Sequence, residues 1–162
     1  MSLDRLWAGW RSEYVGSTGE PRPPDDGCVL CRVVAGPEAV VWRGERVAVI
    51  LNAYPYTTGH VMALPLRHVA DIEALDGDEA VELWAAATAA VRAIKAAYDP
   101  HGMNVGANLG RAGGAGVLGH LHLHVVPRWE GDTNFMTSVA ETRVLPESLD
   151  STFRRLQEAW PS

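Results

Sequence analysis

The spacing of apolar and polar residues along this chain predicts both strands and helices. Short apolar runs, several with the two-residue period of a half-buried strand, occur near residues 39–42, 46–51, 60–64, 103–109 and 120–126. Helical spacing instead marks residues 5–15, 77–98 and 149–160, and a short turn or helix is expected over residues 28–34. The chain therefore alternates between two kinds of element.

The segment 77–98 is the clearest helix. Asp76 and Glu79, three residues apart, form a capping-box pattern at its start, and Asp99-Pro100 ends it. A core-facing apolar stripe is predicted from Val81, Trp84, Val91, Ile94 and Tyr98. Because strands both precede and follow this one long helix, we expect an α+β fold with an antiparallel meander.

Length and composition indicate one globular domain. The chain has 162 residues, 47% hydrophobic and 21% charged, which is ordinary for a protein with a buried core. We expect a single domain over residues 1–162, with a core at about 28–136. An N-terminal arm over 1–27 and a helical tail over 137–162 complete it.

Charge and hydropathy argue against several classes of partner. A formal net charge of −6 disfavours nucleic acid, which needs a basic face. We find no bilayer-spanning run and no basic-then-apolar leader, so no membrane partner is expected. Only two cysteines occur, Cys28 and Cys31, which is no disulfide framework, so a cytoplasmic location is expected.

The decapeptide 119–128, GHLHLHVVPR, carries the strongest chemical signal. His120, His122 and His124 alternate with apolar residues, so on a strand the three imidazoles would share one face. Imidazoles held on a rigid strand suit nucleophilic or acid–base chemistry near pH 7. The alternative is an exposed, histidine-rich edge.

A glycine-rich loop, GRAGGAGVLG over residues 110–119, leads into the histidines. Glycines let the backbone approach a ligand closely and turn N–H groups toward an anion. The loop lacks the Gly-Lys-Ser/Thr ending of a Walker loop. Its position favours contact with phosphate, and a flexible hairpin is the alternative.

Metal binding has two candidate sites. Three successive strand histidines cannot easily share one ion, because the first and third Cα atoms lie roughly 13 Å apart, so a catalytic metal would need further ligands from elsewhere. Cys28-x-x-Cys31 is half of a zinc site. A thioredoxin-like redox pair is disfavoured by its surroundings, and two buried metal-free thiols remain the alternative.

The histidine segment, HLHLHVVPR, resembles the signature of the histidine triad superfamily of nucleotide hydrolases and transferases. Residues 51–55 with Gly59-His60 resemble the family's ribose-binding strand and turn, and 65–68 resemble its next segment. The tryptophan-rich opening, the Cys-Val-Leu-Cys motif and residues 129–135 resemble a bacterial branch with diadenosine polyphosphate phosphorylase-like members. The resemblance implies a mainly antiparallel five-stranded sheet and a homodimer.

The resemblance also implies roles for individual residues. His122 is the implied nucleophile, oriented through a backbone carbonyl near His120, and it would form a nucleotidyl-histidine intermediate. His124 would contact phosphate oxygens or the leaving group. His60 matches a histidine near the nucleophile, with a buried structural histidine as the alternative.

Substrate contacts are implied in the same way. Asn52 matches a ribose-contacting residue and Asn108 a phosphate-side amide. The glycine loop would hold phosphates through its backbone at Gly114 and Gly116, and Trp129 would stack on a base. Many relatives carry Gln, Ser or Thr near position 116, so this chain lacks a side-chain donor to the leaving group there.

The family resemblance implies a metal as well. Some members bind structural zinc through a cysteine pair, a histidine in the Pro-x-x-His segment and the first triad histidine. The matching residues are Cys28, Cys31, His68 and His120, a closed set without an open catalytic position. No organic cofactor is expected.

The expected activity is cleavage of a nucleotide phosphoanhydride, with a dinucleoside polyphosphate as substrate and phosphate preferred over water as acceptor. A nucleoside phosphoramidate hydrolase is the alternative within the family. A nucleotide-binding dimer with little turnover is the non-enzymatic alternative.

Overall fold

A five-stranded antiparallel sheet forms the centre of the computed structural model, which describes residues 27–132 and 145–161. The strands are β1 (Val40–Arg43), β2 (Val47–Leu51), β3 (Val61–Pro65), β4 (Gly102–Ala107) and β5 (Leu123–Arg128), in the order β1-β2-β3-β5-β4. The described residues form three helices, α1 (Val29–Ala35), α2 (Gly77–Tyr98) and α3 (Leu149–Glu158). A 3-10 turn, Ile72–Ala74, precedes α2.

The α+β class and the antiparallel sheet are confirmed, but the meander is interrupted. Strands β1 to β3 follow one another, and β5 then inserts between β3 and β4, so β4 becomes an edge strand. The helix predicted over residues 5–15 lies outside the described residues.

Strands β2 and β3 are buried on both faces. Their alternate residues contribute to two apolar clusters, as expected from the period of a strand. Val47, Val49 and Leu51 join the cluster beneath α2, whereas Ala48 and Ile50 join the cluster beneath α1. This double burial explains why β2 is an unbroken apolar run.

Helix α2 begins as its sequence predicts. The Asp76 carboxylate accepts the backbone N–H of Glu79 at 2.8 Å, and the Glu79 carboxylate accepts the backbone N–H of Asp76 at 3.1 Å. Arg67 donates two hydrogen bonds to the same Glu79 carboxylate, at 2.9 and 2.7 Å, and holds its pKa down at about 2. The segment after β3 is therefore tied to the start of α2.

The predicted core stripe of α2 was wrong at two positions. Val81 is 72% exposed and Trp84 is 55% exposed. The buried face instead comprises Leu83, Ala86, Ala87, Ala90, Ala93 and Ile94, together with Glu79. Small alanines let the helix lie close against the sheet, whereas Val81 and Trp84 lie outside this face and point to solvent.

Helix α3 covers one end of α2 and confirms the predicted C-terminal helix. Leu156 is buried, and Phe153 is partly buried against the same core. Trp160 stacks on Trp42 of β1, with ring centroids 5.7 Å apart. Across residues 27–132 and 145–161, no helix is long and apolar enough to cross a membrane.

Candidate active site

The histidine segment is less regular than a strand of alternating residues. Strand β5 begins at Leu123, so His124 lies within it, whereas His120 lies at a bend and His122 in the irregular residues before the strand. The expected strand start at 120 was wrong, because the backbone N–H of Leu121 bonds to the carbonyl of Val69, outside β3, at 2.6 Å. The triad therefore divides into two environments.

His122 is buried and held by the main chain. Its Nδ1 lies 2.8 Å from the carbonyl oxygen of His120. A carbonyl oxygen can only accept, so Nδ1 carries the hydrogen. In the neutral ring this leaves the lone pair on Nε2, which is the requirement for a nucleophilic imidazole.

His60 and His124 form a second pair of fixed tautomers. The backbone N–H of Tyr56 donates to Nδ1 of His60 at 3.0 Å, so the hydrogen of neutral His60 lies on Nε2. This Nε2 lies 2.9 Å from Nδ1 of His124 and donates to it. In neutral His124 the remaining N–H is therefore on Nε2.

Burial, together with the nearby His122, lowers the pKa of His124 to about 4. His124 is consequently neutral at pH 7, and its ring centroid lies 5.0 Å from that of His122. Two adjacent imidazoles thus have opposite capacities: a lone pair on Nε2 of His122 and an N–H on Nε2 of His124.

The turn into His60 needs its glycine. Gly59 has a φ of +84°, and an added Cβ would meet Pro127 and Tyr98 at 3.3 Å. Asn52, at the end of β2, places its amide nitrogen 3.3 Å from the His60 ring and accepts the backbone N–H of Tyr54 at 2.9 Å. The predicted residues Asn52 and His60 are therefore neighbours.

The loop between β4 and β5 leaves the sheet beside the histidine segment. Ala107 pairs with Leu123, so the chain leaves β4 at Asn108 beside the level of His122. The Asn108 amide donates to the carbonyl of Gly114 at 3.3 Å, and Gly114 has a φ of +86°. Gly116 is exposed on the same loop.

Trp129 is not brought to the histidines. It follows the end of β5, five residues after His124, or about 16 Å along an extended strand. Its backbone N–H donates to Asp132 at 3.1 Å, and Asp132 also forms a two-bond ion pair with Arg128. Residues 133–135 of the same motif lie outside the described residues.

His120 belongs to a separate cluster with Cys28, Cys31 and His68. The four candidate ligand atoms lie within 4.8 Å of one another. Both thiol sulfurs lie 3.4 Å from Nδ1 of His120, and Sγ of Cys31 lies 3.3 Å from Nδ1 of His68. A tetrahedral zinc ion separates sulfur and nitrogen ligands by about 3.5 Å, so the set fits zinc.

The protonation of this cluster also fits a metal. Nε2 of His120 donates to the carbonyl of Pro65 at 2.8 Å, which leaves Nδ1 unprotonated and directed at the sulfurs. Burial raises the pKa of the Cys31 thiol, and the neighbouring Cys28 raises it further. A bound cation would reverse this effect by stabilising the thiolate.

The sequence analysis missed two contributors to this region. The Pro65 carbonyl is a main-chain atom, which no side-chain motif indicates. Tyr56 lies against both His60 and His124, with ring centroids 4.7 and 5.8 Å away. Its position four residues before His60 was the available signal.

Comparisons with known proteins agree on one family. The HIT domain model matches residues 35–131. The chain is 39% identical to a protein of Mycobacterium tuberculosis named AP-4-A phosphorylase, over 98% of this chain and 85% of that protein. It is 31% identical to protein hit of Bacillus subtilis, over 66% of this chain and 75% of that protein.

Solved structures show the same fold. A zinc-bound histidine triad family protein from Mycobacterium smegmatis superimposes with a TM-score of 0.68 at 29% identity, covering 82% of this chain and 92% of that one. A HIT family protein from Bacillus anthracis gives 0.62 at 28% identity, with the same coverage of 82% and 92%. This chain therefore belongs to the HIT domain family of histidine triad proteins.

Proposed function

We propose that this enzyme cleaves the phosphoanhydride bridge of a dinucleoside polyphosphate, with diadenosine tetraphosphate as the leading substrate and His122 as nucleophile. One observation carries the proposal: Nε2 of His122 offers a lone pair, and the adjacent Nε2 of His124 offers an N–H. Cleavage of a phosphoanhydride needs both a nucleophile and a donor to the departing oxygen.

In the first step, Nε2 of His122 attacks the α-phosphorus. A nitrogen–phosphorus bond forms, the phosphorus–oxygen bond to the remaining phosphates breaks, and the departing oxygen keeps the electron pair. His124 donates its Nε2–H to oxygens on that side as negative charge develops. The carbonyl of His120 stabilises the His122 ring as it becomes cationic.

In the second step, an oxygen of inorganic phosphate attacks the same phosphorus and the nitrogen–phosphorus bond breaks. The electron pair returns to His122. Diadenosine tetraphosphate and phosphate then give adenosine triphosphate and adenosine diphosphate. Phosphate as acceptor is supported by the relative named AP-4-A phosphorylase and by the backbone N–H groups of the glycine loop.

Substrate contacts follow the same proposal. Asn52 would hold ribose hydroxyls, and Asn108 with the loop at Gly114 and Gly116 would hold phosphates. Trp129 would stack on a base at a distance from the reacting phosphorus.

We further propose that Cys28, Cys31, His68 and His120 hold a structural zinc ion. Support comes from the spacing of the four ligand atoms and from the name of the zinc-bound relative. Zinc bound there would fix α1, the segment after β3 and the start of the histidine segment relative to one another. Two unpaired thiols also suit a reducing compartment, which supports a cytoplasmic location.

We propose a homodimer formed through β4. This strand pairs with β5 on one side, and Asn104, Val105 and Gly106 are exposed. Within residues 27–132 and 145–161 no strand pairs with the other side of β4, and an open edge strand offers unpaired backbone groups to a second copy.

The experiment is incubation with diadenosine tetraphosphate and isotopically labelled inorganic phosphate, followed by identification of the products. We expect label in the β-phosphate of adenosine diphosphate. Unlabelled products formed equally fast without phosphate would identify a hydrolase. Faster turnover of an adenosine phosphoramidate would favour the alternative hydrolase, and binding without turnover of either would favour a nucleotide-binding protein.

A further inference from the structure

The glycine-rich loop before the histidines offers few side-chain hydrogen-bond donors to the departing phosphates. Residues 112–119 read AGGAGVLG and contain no side chain that can donate a hydrogen bond. The loop can therefore offer only backbone N–H groups to the substrate from these positions. A side-chain donor to the leaving group must therefore come from outside residues 112–119.

Tyr56 is a partly exposed polar side chain that lies against the proposed donor His124. Its ring lies 5.8 Å from the His124 ring and 4.7 Å from the His60 ring, at tilts of 33° and 36°. Its backbone N–H also fixes the tautomer of His60. The side chain is 46% exposed, whereas His60 is fully buried, so Tyr56 forms part of the accessible wall beside His124.

The geometry of displacement defines two sides of the reacting phosphorus. Attacking and leaving groups lie roughly in line on opposite sides of the phosphorus. The leaving phosphates therefore depart on the side opposite His122. The incoming phosphate, which displaces His122, must enter from the side that the leaving phosphates have left. One subsite consequently serves both the leaving group and the acceptor.

Building on the proposed function, we infer that the phenolic hydroxyl of Tyr56 donates a hydrogen bond to phosphate oxygens in this shared subsite. Tyr56 is then a substrate-contacting residue that stands in for the side-chain donor missing from residues 112–119. The chemical class recognised is a phosphate anion, either as part of the polyphosphate or as free inorganic phosphate.

The test compares Tyr56→Phe with the matched control Tyr54→Phe. Tyr54 lies two residues away, and its side chain is 87% exposed. Each variant loses one hydroxyl and keeps its ring, so packing against the histidines is preserved in Tyr56→Phe. Two quantities are measured with diadenosine tetraphosphate: the single-turnover rate of covalent adenylyl-enzyme formation without phosphate, and the KM for phosphate in steady state.

We expect Tyr56→Phe to slow adenylyl-enzyme formation by about tenfold to a hundredfold, the effect of losing a hydrogen bond to a charged group. The KM for phosphate should rise, and the thermal midpoint should match that of Tyr54→Phe within about 2 °C. Tyr54→Phe should keep the wild-type thermal midpoint.

A normal rate of adenylyl-enzyme formation in Tyr56→Phe overturns the inference. A slower rate also overturns it if the thermal midpoint falls enough to account for the loss. Wild-type protein that forms no adenylyl-enzyme overturns the proposed function itself. The two failures are therefore distinguishable, because the second is seen without any substitution.

Discussion

At the scale of single residues, His120 links two sites. Its ring faces the thiols of Cys28 and Cys31, and its backbone carbonyl accepts the Nδ1–H of His122. A change in the position of the His120 ring would move the carbonyl that selects the His122 tautomer. The proposed zinc site is therefore coupled to the proposed nucleophile through one residue.

His122→Ala should lower turnover of diadenosine tetraphosphate by at least about a thousandfold, because no neighbouring group can form the same covalent intermediate. The measurement is steady-state product formation, with nucleotide binding and the thermal midpoint recorded beside it. His101→Ala is the control, since His101 is an exposed histidine that accepts the backbone N–H of Glu130. Turnover near the wild-type rate in His122→Ala would refute the assignment.

The low pKa of His124 predicts how stability depends on pH. An unfolded histidine titrates near pH 6.5, whereas native His124 titrates near pH 4. Between these values the unfolded chain binds more protons, so this group lowers the free energy of unfolding as pH falls from about 6.5 to about 4.

Denaturant unfolding at several pH values should show that the free energy of unfolding of the wild-type protein decreases as pH falls over this range. The decrease should be smaller in His124→Asn. His101→Ala, which removes an exposed histidine and leaves His124 in place, serves again as the control variant. An NMR titration of the folded protein that places His124 near pH 6.5 would contradict the prediction.

At the scale of elements, local signals predicted α2 well and its packing less well. The capping box and Asp99-Pro100 gave the observed ends, Gly77 and Tyr98, because these signals act within one turn. The buried face depended on how closely the helix approaches the sheet, which sequence periodicity does not contain. The strand β5 started late for a similar reason: Leu121 bonds to Val69, a partner distant in sequence.

The same distinction holds for the site. The alternating histidines, the Cys-x-x-Cys pair and the glycine loop are local patterns, and they indicated the proposed residues. Which ring nitrogen of each histidine carries hydrogen depended on main-chain groups at Tyr56, Pro65 and His120. These partners are set by tertiary structure and leave no side-chain signature.

If the proposed zinc site is correct, removing one of its ligand side chains should lower both the zinc content and the stability of the protein. Purified protein should contain about one zinc per chain, and Cys28→Ser should lower both zinc content and the thermal midpoint, because metal binding and folding are coupled. Elemental analysis and calorimetry measure the two quantities. Val29→Ser, at the next residue and the first of α1, should keep its zinc; a metal-free wild-type protein of full stability would refute the site.

At the scale of the whole molecule, the exposed edge strand predicts assembly. Light scattering after size exclusion should give twice the 17.5 kDa chain mass. Val105→Lys should shift the protein toward the monomer, because Val105 is 40% exposed on β4 and a charge there opposes edge pairing. Ile72→Lys, an exposed apolar position on the turn before α2, should not; a monomeric wild type would contradict the proposed dimer.

The proposed activity requires a covalent bond between the substrate and one ring nitrogen of His122. The most direct measurement is mass spectrometry of protein quenched during turnover of diadenosine tetraphosphate without phosphate, followed by mapping of the modified peptide. We predict one adenylyl group on His122, absent from His122→Ala and discharged when phosphate is added. An adduct on another residue, or product formation with no adduct under any quench, would contradict the mechanism.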